Sequence, residues 1–177
     1  YYSTLFQDAW TVADYMNQKK EILEGDSRKF SQAFFSSTLP GYVLEAVADN
    51  ITILRSPTCF RTENGDFFGW EGVENTVGCG AGTCTHVWNY AQTVAFLFPE
   101  LEQSMRRIEF LQETQADGYM PFRTYRPFGL PAWEMLPSAD GQLGAVVRLY
   151  REWRLSGDNR LIEDCWDGVV RLSLIHI

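Results

Sequence analysis

The chain has 177 residues, of which 45% are hydrophobic and 21% charged, and its formal net charge is −8. It is long enough for one domain with a sizeable core and too apolar for disorder, while the acidic balance excludes the basic face that nucleic-acid binding needs. No run of about 18 apolar residues offers a membrane span, and the opening residues YYSTLFQDAW lack the basic segment and apolar core of a signal peptide, which favours a cytoplasmic location.

In chain order, Phe6, Ala9, Ala13 and Met16 fall at helical spacing. They predict a first helix, already under way where the chain begins, that ends near Gly25 with Asp26 capping the next segment. Leu44, Val47, Ala48 and Ile51 repeat the pattern after Pro40-Gly41. Thr58–Thr62 and Asp66–Trp70 flank Asn64-Gly65 and read as a type I′ β-hairpin. From Thr85 a helix is expected, with apolar residues at 87, 90, 91, 94, 95 and 98 on one stripe. Pro99 stops it and suits the first turn of the next helix, where Leu101, Met105 and Ile108 continue the stripe. A weaker extended piece covers Tyr119–Tyr125. Leu143, Val146, Val147 and Tyr150 predict another helix, Gly157-Asp158 a stop and a cap, and Ile162, Cys165, Trp166, Val169 and Val170 the last helix.

The expected fold class is therefore all-α with a small β-hairpin near 58–70. Short turns alternate with long excursions at roughly 55–83 and 115–139, the alternation of a toroid of helical hairpins with its site at the loop end. A helical-repeat scaffold would need a fixed period, and none is found.

The stretch Gly69-Trp70-Glu71-Gly72 places a carboxylate beside an indole, directly after the second strand of the hairpin. The glycine-rich run CGAGTCTHVWNY, residues 79–90, comes next. Carboxylates flanking a sugar do the chemistry of glycoside hydrolysis, about 5–5.5 Å apart when one is a nucleophile. Glu71 is the candidate, and Glu74 competes with it. His86, near a helix N-terminus, can bond a sugar hydroxyl as a neutral imidazole. Trp88, Tyr125 and Trp133 offer flat aromatic faces, and Trp70 beside Glu71 can exclude water. Arg61, Arg123 and Arg126 can bind hydroxyls or pair with Glu71 and Glu134. Asp140 reads first as the N-cap of its helix, in a place that also permits substrate contact. The charges of RLYREWR, residues 148–154, read as a solvated helix face.

Cys59, Cys79, Cys84 and Cys165 do not form a disulfide framework in a chain of this length. A zinc site on Cys79, Cys84 and His86 lacks a fourth ligand, so no metal and no cofactor are expected.

The strings GWEG, GTCTHVWNYAQTVAFLFPELEQSMRRIEF and ADGQLGAVVRLYREWRLSGDNRLIEDCW closely resemble the catalytic domain of glycoside hydrolase family 116, the family of non-lysosomal glucosylceramidases and microbial β-glucosidases. The likeness covers most of residues 40–171. It implies a partial (α/α)6 barrel and a retaining β-glycosidase acting on a small-molecule β-glucoside. Glu71 matches the family's nucleophile, and His86 a carbohydrate-binding histidine. Beside them Trp70, Thr85, Trp133 and Asp140 are candidate substrate-binding residues from their own positions. Thr85 stands where the glucosylceramidase branch has Asp, which points to a related microbial glycosidase. The family's acid/base Asp is expected beyond residue 177, so the chain alone is expected to be inactive, since losing general acid–base help removes roughly 10²–10⁴ in rate. Competing readings are an inverting α/α-barrel glycosidase with Glu71 as base, and a non-catalytic helical carbohydrate-binding module.

Residues 1–171 read as an incomplete catalytic domain. Residues 172–177, LSLIHI, are what CTGTCTCTTATACACATC encodes, a sequence resembling a transposon end used in preparing sequencing libraries. They are expected to be an adapter-derived tail on a truncated gene fragment.

Overall fold

Helices dominate the computed structural model, which describes residues 2–71, 80–125, 128–129 and 136–175 and adds two small two-stranded antiparallel sheets. The chain divides into two units, Tyr1–Ile53 and Leu54–Ile177.

The first unit holds α1 (Tyr2–Leu5), α2 (Ala9–Phe35) and α3 (Gly41–Ile51). Asp8 starts α2 with a capping box: its side chain accepts from Thr11 N at 2.8 Å, and Thr11 Oγ1 accepts from Asp8 N at 3.1 Å. The stop expected at Gly25 does not occur. The helix runs through it, and Asp26 pairs along the helix with Lys29 at 3.4 Å instead of capping. A mid-helix glycine costs only about 1 kcal/mol against alanine, which a long helix absorbs. No described residue of α2 is buried, so the expected apolar stripe gives it no core face.

In the second unit β1 (Cys59–Arg61) pairs with β2 (Phe67–Gly69), with Phe60 opposite Phe68. The hairpin is where the sequence put it, but its turn is not type I′, which needs a positive φ at both Asn64 and Gly65. Gly65 alone has one, at +93°. Its N–H donates to Thr62 O at 3.0 Å, and Thr62 N donates to Asp66 O at 2.9 Å. Asn64 uses its side chain to brace the loop, its Nδ2 donating to Asp66 Oδ2 at 2.8 Å.

Beyond the hairpin, β3 (Thr83–Cys84) pairs with β4 (Arg123–Thr124), so the extended piece at Tyr119–Tyr125 forms a strand and meets a partner inside the glycine-rich run. A bridge between Trp70 and Thr83 ties the two sheets together. The helix expected from Thr85 is broken. A 3₁₀ turn spans Val87–Tyr90, the chain leaves helical geometry at Ala91, and α4 (Gln92–Leu97) begins after it. Pro99 opens α5 (Pro99–Arg107), as expected. A π-helical turn, Ile108–Glu113, then carries the chain on, with Thr114 N donating to Glu109 O at 3.0 Å. Gly157, at φ +67°, closes α6 (Ala139–Ser156), and Asp158 accepts from Arg160 N at 2.9 Å to begin α7 (Asn159–Ile175). The stop-and-cap pair is as read.

Phe110, Met120, Ala145, Leu149, Leu161, Cys165 and Leu172 form one core, and Phe67, Trp88, Val94 and Met105 a second. Leu172, first residue of the suspected tail, is thus a packed core residue of α7. One expectation about a helix face is corrected. Leu143, Val147 and Tyr150 of α6 and Trp166 and Val170 of α7 are exposed. The face α6 buries carries Gln142, Arg148 and Glu152 instead, so RLYREWR is not a solvated face.

Those charges close a cluster between α5, the π turn and α6. Arg106 Nη2 donates to Glu109 Oε1 at 2.8 Å and its Nε lies 2.7 Å from Glu109 Oε2. Its Nη1 lies 3.4 Å from Glu102 and 3.7 Å from Glu152. Arg151 reaches Glu152 at 2.6 Å and Glu102 at 3.3 Å. Arg148 Nη2 donates to Glu109 Oε1 at 3.2 Å and to the carbonyl of Thr85 at 3.3 Å. The described residues show no toroid.

Candidate active site

Glu71 stands one residue past the bridge at Trp70. Its N–H donates to Gly80 O at 3.3 Å, and Trp70 N donates to Thr58 O at 2.9 Å. The strand that presents it is clamped from beneath. Trp88 Nε1 donates to Gly69 O at 3.0 Å, Gly69 N donates to Thr83 Oγ1 at 3.1 Å, and a Cβ at position 69 would sit 2.1 Å from the Trp88 ring. Only glycine lets the indole lie that close to the strand.

The carboxylate itself is held from β4. Arg123 Nη2 donates to Glu71 Oε2 at 2.5 Å, with the arginine side chain 10% exposed and the glutamate 37%. Glu71 Oε1 has no hydrogen-bond partner among the described residues. The guanidinium therefore fixes one oxygen and supplies a counter-charge, while the other stays available. Of the pairings open to Arg123 from sequence, the one with Glu71 is present, and Glu134 lies outside the described residues. Arg61 stays on its own hairpin, its Nε donating to Gly65 O at 3.3 Å.

His86 caps the 3₁₀ turn at Val87–Tyr90, so the turn it begins is not α-helical. Its Nδ1 is hydrogen-bonded to Asp140 Oδ2, and Asp140 Oδ1 accepts from Ser138 Oγ. The hydrogen bonds from Ser138 and His86 hold the Asp140 carboxyl below the usual carboxylate range. Asp140 is not the N-cap of α6. Ser138 is, and its Oγ accepts from Gly141 N at 3.2 Å. Nothing in the apolar periodicity marked Ser138, although serine before an apolar run is a preferred cap.

Two glycines let α6 dock on the histidine turn. A Cβ at Gly141 would lie 2.3 Å from Thr85 Oγ1, and one at Gly144 2.1 Å from Asn89 Oδ1. Asn89 Nδ2 also donates to Asp140 O at 3.0 Å. Cys84 joins the two halves of the site. It pairs with Arg123 across the strands, its Sγ accepts from Val87 N at 3.5 Å, and its thiol is raised by burial while feeling Arg123 and Glu71.

The other named residues fall differently. Thr85 is buried, and both its hydroxyl and its N–H donate to Phe122 O, at 2.9 and 3.0 Å. It secures the turn and offers no hydroxyl to solvent. Trp88 and Tyr125 are buried, a correction to their reading as open faces. Trp70 is half-buried among Phe60 and Phe128, with ring centroids 5.5 and 6.1 Å away. Trp133, Glu74, Cys79, Arg126 and Glu134 lie outside the described residues. Among the described residues no group of three or more His, Cys, Asp or Glu is placed to hold a metal ion, and no helix is long and apolar enough to cross a membrane.

The arrangement offers one half-exposed carboxylate on a rigid strand end, and an imidazole whose free nitrogen sits beside aromatic rings. No protein-family model matches the chain, and no curated protein matches it either.

Proposed function

We propose that this chain carries the nucleophile of a retaining β-glycosidase of the kind found in glycoside hydrolase family 116, acting on β-glucosides from an (α/α)6 barrel. The observation that carries the reading is Glu71, a carboxylate fixed through one oxygen by a largely buried arginine and open at the other. That is the constraint an attacking oxygen needs, because a near-attack geometry supplies much of the rate. The residue strings around it add the family resemblance. The exposed apolar stripes of α6 and α7 are of the kind that helices in a ring turn toward their neighbours.

In the proposed reaction a Glu71 oxygen attacks the anomeric carbon, the glycosidic bond breaks, and a glucosyl-enzyme ester forms. A second carboxylic acid would protonate the leaving oxygen and later activate water. The test avoids that partner. With 2,4-dinitrophenyl 2-deoxy-2-fluoro-β-D-glucopyranoside the dinitrophenolate departs with its electron pair and needs no proton, while the fluorine slows hydrolysis of the ester. Mass spectrometry should find one fluoroglucosyl group on Glu71 and none in Glu71→Gln. A helical, folded chain that gains no adduct at Glu71 overturns the reading, and an inverting enzyme would behave in that way.

A further inference from the structure

We propose that Asp140 is a positioning residue for His86, fixing the imidazole as its Nδ1–H tautomer so that Nε2 is presented as an acceptor for a sugar hydroxyl. The sugar as ligand rests on the glycosidase reading above; the tautomer does not.

An ionised carboxylate only accepts hydrogen bonds. Both Asp140 oxygens are engaged, Oδ1 by Ser138 Oγ and Oδ2 by His86 Nδ1. Ser138 and His86 together favour the ionised form of Asp140. The proton between the two side chains therefore belongs on Nδ1, and in a neutral ring the lone pair belongs on Nε2. Without such a partner an imidazole carries its proton mainly on Nε2 and would meet a hydroxyl as a donor.

The ring is also held in place. Phe122 stacks on it, with centroids 6.5 Å apart and planes at 22°, and Tyr90 meets it edge-on at 5.8 Å. Beneath, the backbones of Asp140 and His86 are locked by the close approach of Gly141 to Thr85 and by Asn89 Nδ2 donating to Asp140 O. The His86 side chain is 39% exposed, and Nε2 has no hydrogen-bond partner among the described residues. An acid in the first turn of a helix usually serves the helix dipole alone. Here the capping oxygen comes from Ser138, and Asp140 reaches across to another element, 54 positions away in sequence.

The test is long-range ¹H–¹⁵N correlation on the ring nitrogens of His86 in the 177-residue chain, in alkaline buffer where imidazole is neutral. Nδ1 should appear as the protonated nitrogen and Nε2 as the bare one. Asp140→Ala should move the proton toward Nε2. Asp140→Asn, whose Oδ1 still accepts, should keep the wild-type pattern, although both variants lose the same charge from the helix N-terminus. A role confined to the helix dipole would leave the tautomer unchanged in all three chains. An Nε2–H ring in the wild type overturns the proposal without any variant. Methyl β-D-glucopyranoside is then added. It should shift Nε2 in the wild type, with affinity about two- to tenfold weaker in Asp140→Ala and within about twofold in Asp140→Asn. The correct tautomer with no response to the glucoside would uphold the positioning role and overturn the glycoside reading.

Discussion

Two arginine–glutamate assemblies stand in the same unit, and they differ in their access to water. Arg106, Arg148 and Arg151 meet Glu102, Glu109 and Glu152 in a cluster where Arg106, Glu102 and Glu152 have no exposed side-chain surface. Arg123 and Glu71 make an equally direct contact at the end of β2, with more than a third of the glutamate side chain open. In the first, balanced charge is consumed by structure, since every carboxylate must offset a buried cation. In the second, burying the arginine alone leaves the carboxylate oriented and part-exposed. Exposure, more than residue type, separates the support from the candidate nucleophile.

The sharpest way to break that contrast is to remove the hub of the closed cluster. Arg106→Met leaves three buried glutamates short of a cation and should cost about 3–5 kcal/mol, a large share of a domain's total of about 5–15. Urea denaturation followed by circular dichroism measures it. A loss below about 1 kcal/mol would mean that the cluster is as dispensable as a surface pair.

Next in size is a pH effect with a defined sign. Burial pushes the Glu152 carboxyl above its ordinary 4.5, and the pull of Arg106 does not fully reverse this. A folded value above the unfolded one means the fold binds the proton more tightly. That contribution is complete below 4.5 and is lost as pH rises through the raised value. Glu152→Gln cannot ionise, so the wild type should lose stability relative to it as pH rises through that value, on top of any constant cost of the lost pairing with Arg106 and Arg151. A gap that opens in the opposite direction would sink this account.

Much of the helical order was legible because turn chemistry is local: Pro99, Gly157 and Asp158 act where they stand. The position of Glu71 at the end of the hairpin was legible for the same reason, from its place after Asn64-Gly65. The buried cluster was not. Its members recur at helical spacing, from Glu102 to Arg106 and from Arg148 to Glu152, as solvated i,i+4 pairs also do. Whether such a stripe faces water depends on the partner helix, which spacing along one helix does not encode. The exposure of Leu143, Val147 and Tyr150 on α6 was hidden for the same reason, whereas Gly25 misled because a long helix absorbs the roughly 1 kcal/mol that it costs. The Asp140–His86 contact joins residues 54 apart, and its only local trace is the pair of glycines at 141 and 144 that permit the approach.

Within the open pair, Glu71→Gln should alter unfolding free energy by no more than about 1 kcal/mol, because a half-exposed ion pair contributes little. The same change should abolish the fluoroglucosyl adduct. Coupled loss of both stability and labelling would place Glu71 with the structural charges.

The smallest expected effect belongs to a pair open on both sides. Asp158 caps α7 and meets Arg160 at 2.5 Å. The hydrogen bonds from Arg160 lower its carboxyl to about 2. Its folded value lies below its ordinary 3.8, so its contribution is present above 3.8 and is lost as pH falls toward about 2. Asparagine caps a helix about as well as aspartate and carries no charge. Asp158→Asn should therefore melt close to the wild type at neutral pH and lack that acid step. Melting curves across the window read both. An unchanged acid step would assign it to another carboxylate, and a large loss at neutral pH would show that an exposed pair can matter as much as a buried one.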